Sequence, residues 1–181
     1  MNRTLLYYNY LIRIKLLYKL NYQNALLLPN LSKIVLHLTI KNAQINSKNA
    51  LSSLLALELI SGQKPILLYT KDANSSFNLK KNKPISCKVT LRKKHMYLFF
   101  NKLILLNLPQ VRNFQGLSTI SVTPNGIFSF GLDTLLIFPE IQAILTKFNI
   151  RSGLDIQLVT TAKSQFETFL FLSSLNIPFK I

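Results

Sequence analysis

Ile60-Ser-Gly-Gln-Lys-Pro65, a short apolar strand, a basic loop and then Pro84-Ile-Ser-Cys-Lys-Val-Thr-Leu-Arg92 form the stretch that decides the fold. The last nine residues alternate. Ile85, Cys87, Val89 and Leu91 fall on one side, and Ser86, Lys88, Thr90 and Arg92 on the other. A period of two over that length predicts a half-buried β-strand. Its outward side offers two cations, two hydroxyls and no acid. Cations neutralise phosphates and hydroxyls hydrogen-bond to them, so the face suits a polyanion. From this stretch alone an ordinary solvated strand face reads equally well.

The loop Lys71 to Lys83 joins this strand to Ile66–Tyr69. It carries Lys71, Lys80, Lys81 and Lys83 with Ser76 and Phe77, and Asp72 is its only acid. A polar loop of this length inside a compact domain is usually functional or disordered.

The same charge asymmetry runs through the whole chain. Residues 1–102 hold 17 of the 22 Lys and Arg against two acids, a net +15, whereas 103–181 hold five bases against four acids, a net +1. A field that lopsided points to nucleic acid or to an anionic membrane surface. A chain of 181 residues reads as a single domain, 1–181, with a basic half (1–102) and a near-neutral half (103–181). Cys87 is the only cysteine, which excludes an intrachain disulfide and suggests a reducing compartment. No apolar run of about 18 residues lacks a charge, so no transmembrane helix is expected. Few glycines amid abundant Leu, Ile, Asn, Lys, Phe and Tyr give the residue bias of an AT-rich genome.

Along the chain, Leu5, Tyr8, Ile12 and Leu16 predict an amphipathic helix over Leu5–Tyr22, with Arg3, Arg13 and Lys19 off its apolar side. Lys33–Ile40 alternates, with Ile34, Leu36, Leu38 and Ile40 opposite Lys33, Val35, His37 and Thr39. A lone His such as His37 is more often a packing residue than a base or ligand. A second helix spans Ser47–Leu59, with Ser47 as a cap, Leu51, Leu54, Leu55 and Glu58 on adjoining turns, and Gly62 free to end it left-handed. A third spans Lys94–Leu108 with Met96, Phe99, Leu103 and Leu106 as its buried stripe. Ile120–Val122 and Ile127–Gly131 predict a hairpin turned at Asn125-Gly126. Leu154–Thr161 predicts a strand, and Ser164 with Glu167 a capping box for a last helix through Leu175. The class is α+β: an antiparallel-rich sheet with helices packed on one face, an open basic sheet face and a long basic loop.

No Walker loop, dinucleotide fingerprint or Cys-x-x-Cys is present. His37, His95 and Cys87 fit no zinc spacing, and six scattered acids leave little for paired-carboxylate chemistry. The expectation is no catalytic residue, no metal, no cofactor and no enzyme.

Ile60-Ser-Gly-Gln-Lys-Pro65, Pro84 to Arg92, Leu108-Pro-Gln-Val-Arg112-Asn-Phe-Gln-Gly116, Ile137-Phe-Pro-Glu-Ile141, Gly153-Leu-Asp-Ile156 and Thr160-Thr-Ala-Lys163 resemble, in order and spacing, the large-subunit ribosomal protein five family of bacteria and organelles. Asn21-Tyr22 and Pro29 fit as well, so the likeness covers nearly the whole chain. The resemblance implies a structural constituent of the central protuberance. Such a protein binds 5S rRNA and large-subunit rRNA through the open sheet face. Here that face is Lys33, His37, Gln63, Lys64, Ser86, Lys88, Thr90 and Arg92. It implies that the loop bearing Lys71, Ser76, Phe77, Lys80, Lys81 and Lys83 reaches peptidyl-site tRNA. It also implies that loops of the second half bridge to a small-subunit head protein beside neighbouring central-protuberance proteins. The chain departs from the pattern at His37, Thr39, Lys41, Ser76, Asn82, Ser86 and Gln110. The likeness begins almost at Met1, ahead of which a transit peptide would lie. With the AT-like composition this suggests a protein made inside an organelle, a mitochondrion (mitoribosome, matrix) before a plastid. The competing reading is a basic peripheral membrane-surface protein, from the positive mean hydropathy and the amphipathic first helix.

Overall fold

Apolar alternation builds the sheet. The computed structural model describes residues 8–40, 47–75, 80–143 and 153–180. Within them are five strands, β1 (Leu31–Thr39), β2 (Ile66–Tyr69), β3 (Pro84–Leu91), β4 (Ile127–Leu132) and β5 (Leu154–Thr160), in the spatial order β2-β3-β1-β5-β4. The helices are α1 (Arg13–Leu20), α2 (Ser47–Ser61), α3 (Lys93–Lys102), α4 (Pro139–Gln142) and α5 (Gln165–Ser174). The class is α+β, as the alternation and helical periods predict. None of the described helices is long and apolar enough to cross a membrane.

The described residues group into two compact units. One comprises Met1–Ile34, Leu91–Phe130 and Gln157–Ile181, and the other Val35–Thr90 and Gly131–Ile156.

In the first unit, Tyr8, Ile12 and Leu16 are buried at the helical spacing read from the sequence; Leu5 and Arg3 lie outside the described residues. The Tyr8 ring stands edge-on to Phe171 at 5.9 Å, and its hydroxyl donates to Pro29 O at 2.9 Å. The turn Tyr8–Ile12 is π-helical and α1 ends at Leu20, where Asn21 takes φ +49. The capping box at α5 is present: Glu167 N donates to Ser164 Oγ at 3.2 Å. The Glu167 carboxylate returns to Lys163 N at 2.9 Å, one residue before the cap.

Two expectations fail in this unit. Met96, Phe99 and Leu103 are buried, but Leu106 is exposed and Asn107 is buried in its place. The cause is a π turn over Leu103–Asn107, in which Leu108 N donates to Leu103 O, five residues back. A turn of that type advances the inward phase by one residue. Asn107 is left inside with no hydrogen-bond partner for either amide atom. The first arm of the expected hairpin also shrinks. Ile120 N donates to Ser118 Oγ at 3.3 Å, a 3₁₀ turn forms over Thr119–Ser121, and Val122 alone bridges to Phe128. Gly126 still closes the turn at φ +75, where a Cβ would lie 2.6 Å from Ala162 O.

In the second unit, Leu36, Leu38, Cys87, Val89, Leu154 and Ile156 are buried at alternating strand positions. Helix α2 buries Ala50, Ser53, Ala56, Leu57 and Ile60, whereas Leu51 and Leu55 are exposed. Gly62 ends it at φ +65. The Ser47 cap falls outside what is described of that side chain.

Candidate nucleic-acid interface

Strand β3 is positioned by its apolar side. Cys87 and Val89 are buried, and burial pushes the Cys87 thiol up to about 11, so it is neutral at ordinary pH. The opposite side carries Ser86, Lys88 and Thr90. β2 pairs antiparallel with β3, setting Ile66 beside Lys88 and Leu68 beside Ser86. Lys88 is exposed and Thr90 half-buried. Ser86 is only 5% exposed, which corrects the expectation of an open position there. Directly paired side chains share a face at close range, and Leu68 is the larger of this pair.

On β1, His37 lies on the same alternating side as Val35 and Thr39. Val35 is buried, His37 is one-third exposed and Thr39 is exposed. His37 Nδ1 lies 3.5 Å from Asp155 Oδ2 on β5. Sequence reasoning missed Asp155. Alternation in Leu154–Thr160 offered the signal, since Leu154, Ile156 and Leu158 are buried and leave Asp155 and Gln157 outward. The β4 position next to Asp155 is Gly131, where an added Cβ would lie 3.4 Å from Asp155 Oδ1.

Gln63 and Lys64 are exposed in the turn from α2 to β2, not on a strand. Ser61 holds that turn: its hydroxyl reaches Leu57 O at 2.7 Å and Gln63 O at 2.9 Å, and accepts from Gln63 N at 3.2 Å.

The base of the basic loop is fastened by Thr70, a second residue that sequence reasoning passed over. Thr70 N donates to Lys83 O at 3.0 Å, and Asn82 N donates to Thr70 O at 3.1 Å. The Thr70 hydroxyl donates to Lys80 O and accepts from Lys83 N at 3.1 Å. Asn82 makes this closure in a left-handed conformation, φ +59. Lys71, Lys80, Lys81 and Lys83 are exposed around the closure. Ser76 and Phe77 lie outside the described residues.

Lys33 and Arg92 belong to the first unit. Lys33 is half-buried on β1, and exposed Arg92 is the extended N-cap of α3, φ −138. Among the described residues no group of three or more His, Cys, Asp or Glu is placed to hold a metal ion. The arrangement is a strand surface and loop base rich in cations and hydroxyls, chemistry for contacting phosphate and ribose.

Residues 84–179 match the model of the ribosomal L5P family C-terminus. The chain is 41% identical over 178 residues to large ribosomal subunit protein uL5m of Reclinomonas americana, covering 98% of each. It is 40% identical over 174 residues to large ribosomal subunit protein uL5 of Buchnera aphidicola subsp. Schizaphis graminum, covering 96% of each. The counterpart in Buchnera aphidicola subsp. Acyrthosiphon pisum is 37% identical over the same length. Likeness at this level along nearly the full length settles the family: the chain belongs to the uL5 proteins of the large ribosomal subunit, structural constituents and not enzymes.

Proposed function

We propose that the chain binds 5S rRNA in the central protuberance of a large ribosomal subunit through the outward side of β3 and its flanking cations. The observation that carries this reading is the exposed Lys88 on a strand whose other side is fixed in the core by Cys87 and Val89. The backbone that carries this charge is already fixed, so contact with phosphate costs only the ordering of the lysine side chain. In this reading Thr90, His37, Gln63 and Lys64 contact RNA as Lys88 does, and Lys33 and Arg92 of the other unit are RNA contacts as well. Ser86 contributes shape more than contact, being buried.

In the same reading the loop bearing Lys71, Lys80, Lys81 and Lys83 faces peptidyl-site tRNA, and its base is rigid because Thr70 fastens both ends. The near-neutral 103–181 half meets proteins, including one of the small-subunit head and neighbours in the protuberance. The relatives include a mitochondrial and several bacterial proteins, and the AT-like composition favours a mitochondrial ribosome. The test is a sucrose gradient of native lysate probed for the chain, followed by extraction of its bound RNA. Co-migration with large subunits and recovery of 5S rRNA are expected. Migration at the top of the gradient, or with membranes, contradicts the proposal.

A further inference from the structure

Helix α1 and the π turn before it, all within the first unit, present two unlike sides. Tyr8, Ile12 and Leu16 are buried. Tyr10, Leu11, Ile14 and Tyr18 are exposed, Tyr18 to 80%. Leu11, Ile14 and Tyr18 follow one another at intervals of three and four, one residue per turn. Lys15 and Lys19, one turn apart, are exposed along the border of this line. Beyond the helix, Arg13 Nη2 donates to Ala25 O at 3.3 Å and holds a 3₁₀ turn on which Leu26 and Leu27 are exposed as well. Exposed apolar groups gathered in this way mark interaction surfaces.

The spacing and the charge narrow the occupant. A line of about one apolar residue per turn, widened only at its first turn where Tyr10 stands beside Leu11, is close to the seam of helix-on-helix packing, while a helix that floats on lipid presents a broader apolar face. Leu11 and Ile14, midway along the line, offer an RNA neither a plane for base stacking nor a hydrogen-bond donor, and only the tyrosines at its ends, Tyr10 and Tyr18, could do so. The charge beside the seam is of one sign, because no Asp or Glu precedes Glu58. Glu167, which bonds to Tyr22 just past the end of α1, is already engaged by Tyr22 and Lys163 N. We propose that this seam docks a helix of a neighbouring protein, one that carries its own apolar residue per turn bordered by Asp and Glu opposite Lys15 and Lys19. The surface is separate in residues from the RNA face, and the inference needs only that the chain resides in its ribosome.

The experiment places a benzophenone amino acid at position 18 in the full chain, assembled in its own ribosome. Sedimentation with large subunits is checked first, so a failure of assembly is read separately from a failure of docking. After irradiation and RNase digestion, the adduct is mapped by mass spectrometry. The expected adduct lies on a protein helix with apolar residues at intervals of three and four bordered by carboxylates. It falls at least tenfold in Lys15→Glu/Lys19→Glu, and also in Ile14→Gln, while both variants melt as the parent does. An adduct on RNA or lipid, on a protein segment without that pattern, or one indifferent to both variants overturns the proposal, as does no adduct from ribosomes that contain the chain.

Discussion

His37 Nδ1 and Asp155 Oδ2 stand 3.5 Å apart on neighbouring strands, though 118 residues separate them in sequence. Asp155 thereby sets a negative charge, 62% exposed, among outward positions of a basic protein. A carboxylate there repels phosphate, and the His37 ring is its neighbour across the two strands. Asp155→Asn is expected to tighten RNA binding about five-fold at low salt, roughly 1 kcal/mol, with the gain fading as salt screens it. Filter-binding titrations of the two proteins at two salt concentrations check this. Equal affinities at low salt would place Asp155 away from the RNA.

Cys87 and Thr90 test the orientation of β3. Cys87→Asp buries a charge with no partner and is expected to abolish cooperative folding. Thr90→Val keeps the volume and removes one hydroxyl, so it should cost about 1 kcal/mol of RNA affinity without lowering the melting temperature. Thermal melts beside affinity measurements separate the two effects. A folded Cys87→Asp with an early-melting Thr90→Val would mean that the strand is turned the other way.

The loop cations are expected to act apart from the strand. Lys80→Ala/Lys81→Ala leaves the backbone carbonyl of Lys80 in place for Thr70, so the loop base survives. Binding of 5S rRNA should change less than two-fold, whereas protection of tRNA in assembled ribosomes should weaken clearly. Chemical footprinting of the tRNA checks this, and a large loss of 5S rRNA affinity would move these lysines into the primary interface.

Tyr22 donates to Glu167 Oε1 at 2.7 Å, tying the end of α1 to α5. Burial works to raise the Glu167 carboxyl, but the bonds from Tyr22, Lys163 and Ser164 prevail and hold it below its ordinary 4.5. The bond to Glu167, with burial and the carboxylate charge behind it, raises Tyr22 above its ordinary 10.0. A lowered carboxyl stabilises above its unfolded value, and that stability is lost as pH falls through the folded one; a raised phenol stabilises below its unfolded value and loses this as pH rises through the folded one. Tyr22→Phe should therefore cost about 1 kcal/mol between roughly pH 5 and 9, and the difference should shrink at both extremes. Urea melts across pH give the answer: a difference of zero would show that the bond contributes nothing, and a non-zero difference constant from pH 3 to 11 would show that its contribution does not depend on the charge of Glu167.

What the sequence made legible was whatever one element settles by itself. The period of two in Cys87, Val89 and Leu91, the glycines at 62 and 126 and the Ser164–Glu167 cap all appear as read. What it hid depends on a second element. Ser86 is buried at a position paired with Leu68 of β2, and Asp155 meets His37 of another strand. Leu106 and Asn107 exchanged places because a π turn inside an otherwise regular helix shifts the phase, which a uniform helical period cannot signal. Thr70 fell between the strand and the loop without being read at all, and its role as a clasp needs Lys80, Asn82 and Lys83 brought back to it.

The most direct test of the central claim is the salt dependence of 5S rRNA binding by the parent chain and by Lys88→Gln/Arg92→Gln. If about five phosphates are neutralised, log affinity should fall against log salt with a slope of roughly −3.5 to −4.5 for the parent. The double variant should bind more weakly, with a slope shallower by about 2. A parent affinity indifferent to salt, or a variant whose slope matches the parent's, would contradict the assignment of the β3 side as the RNA-binding surface.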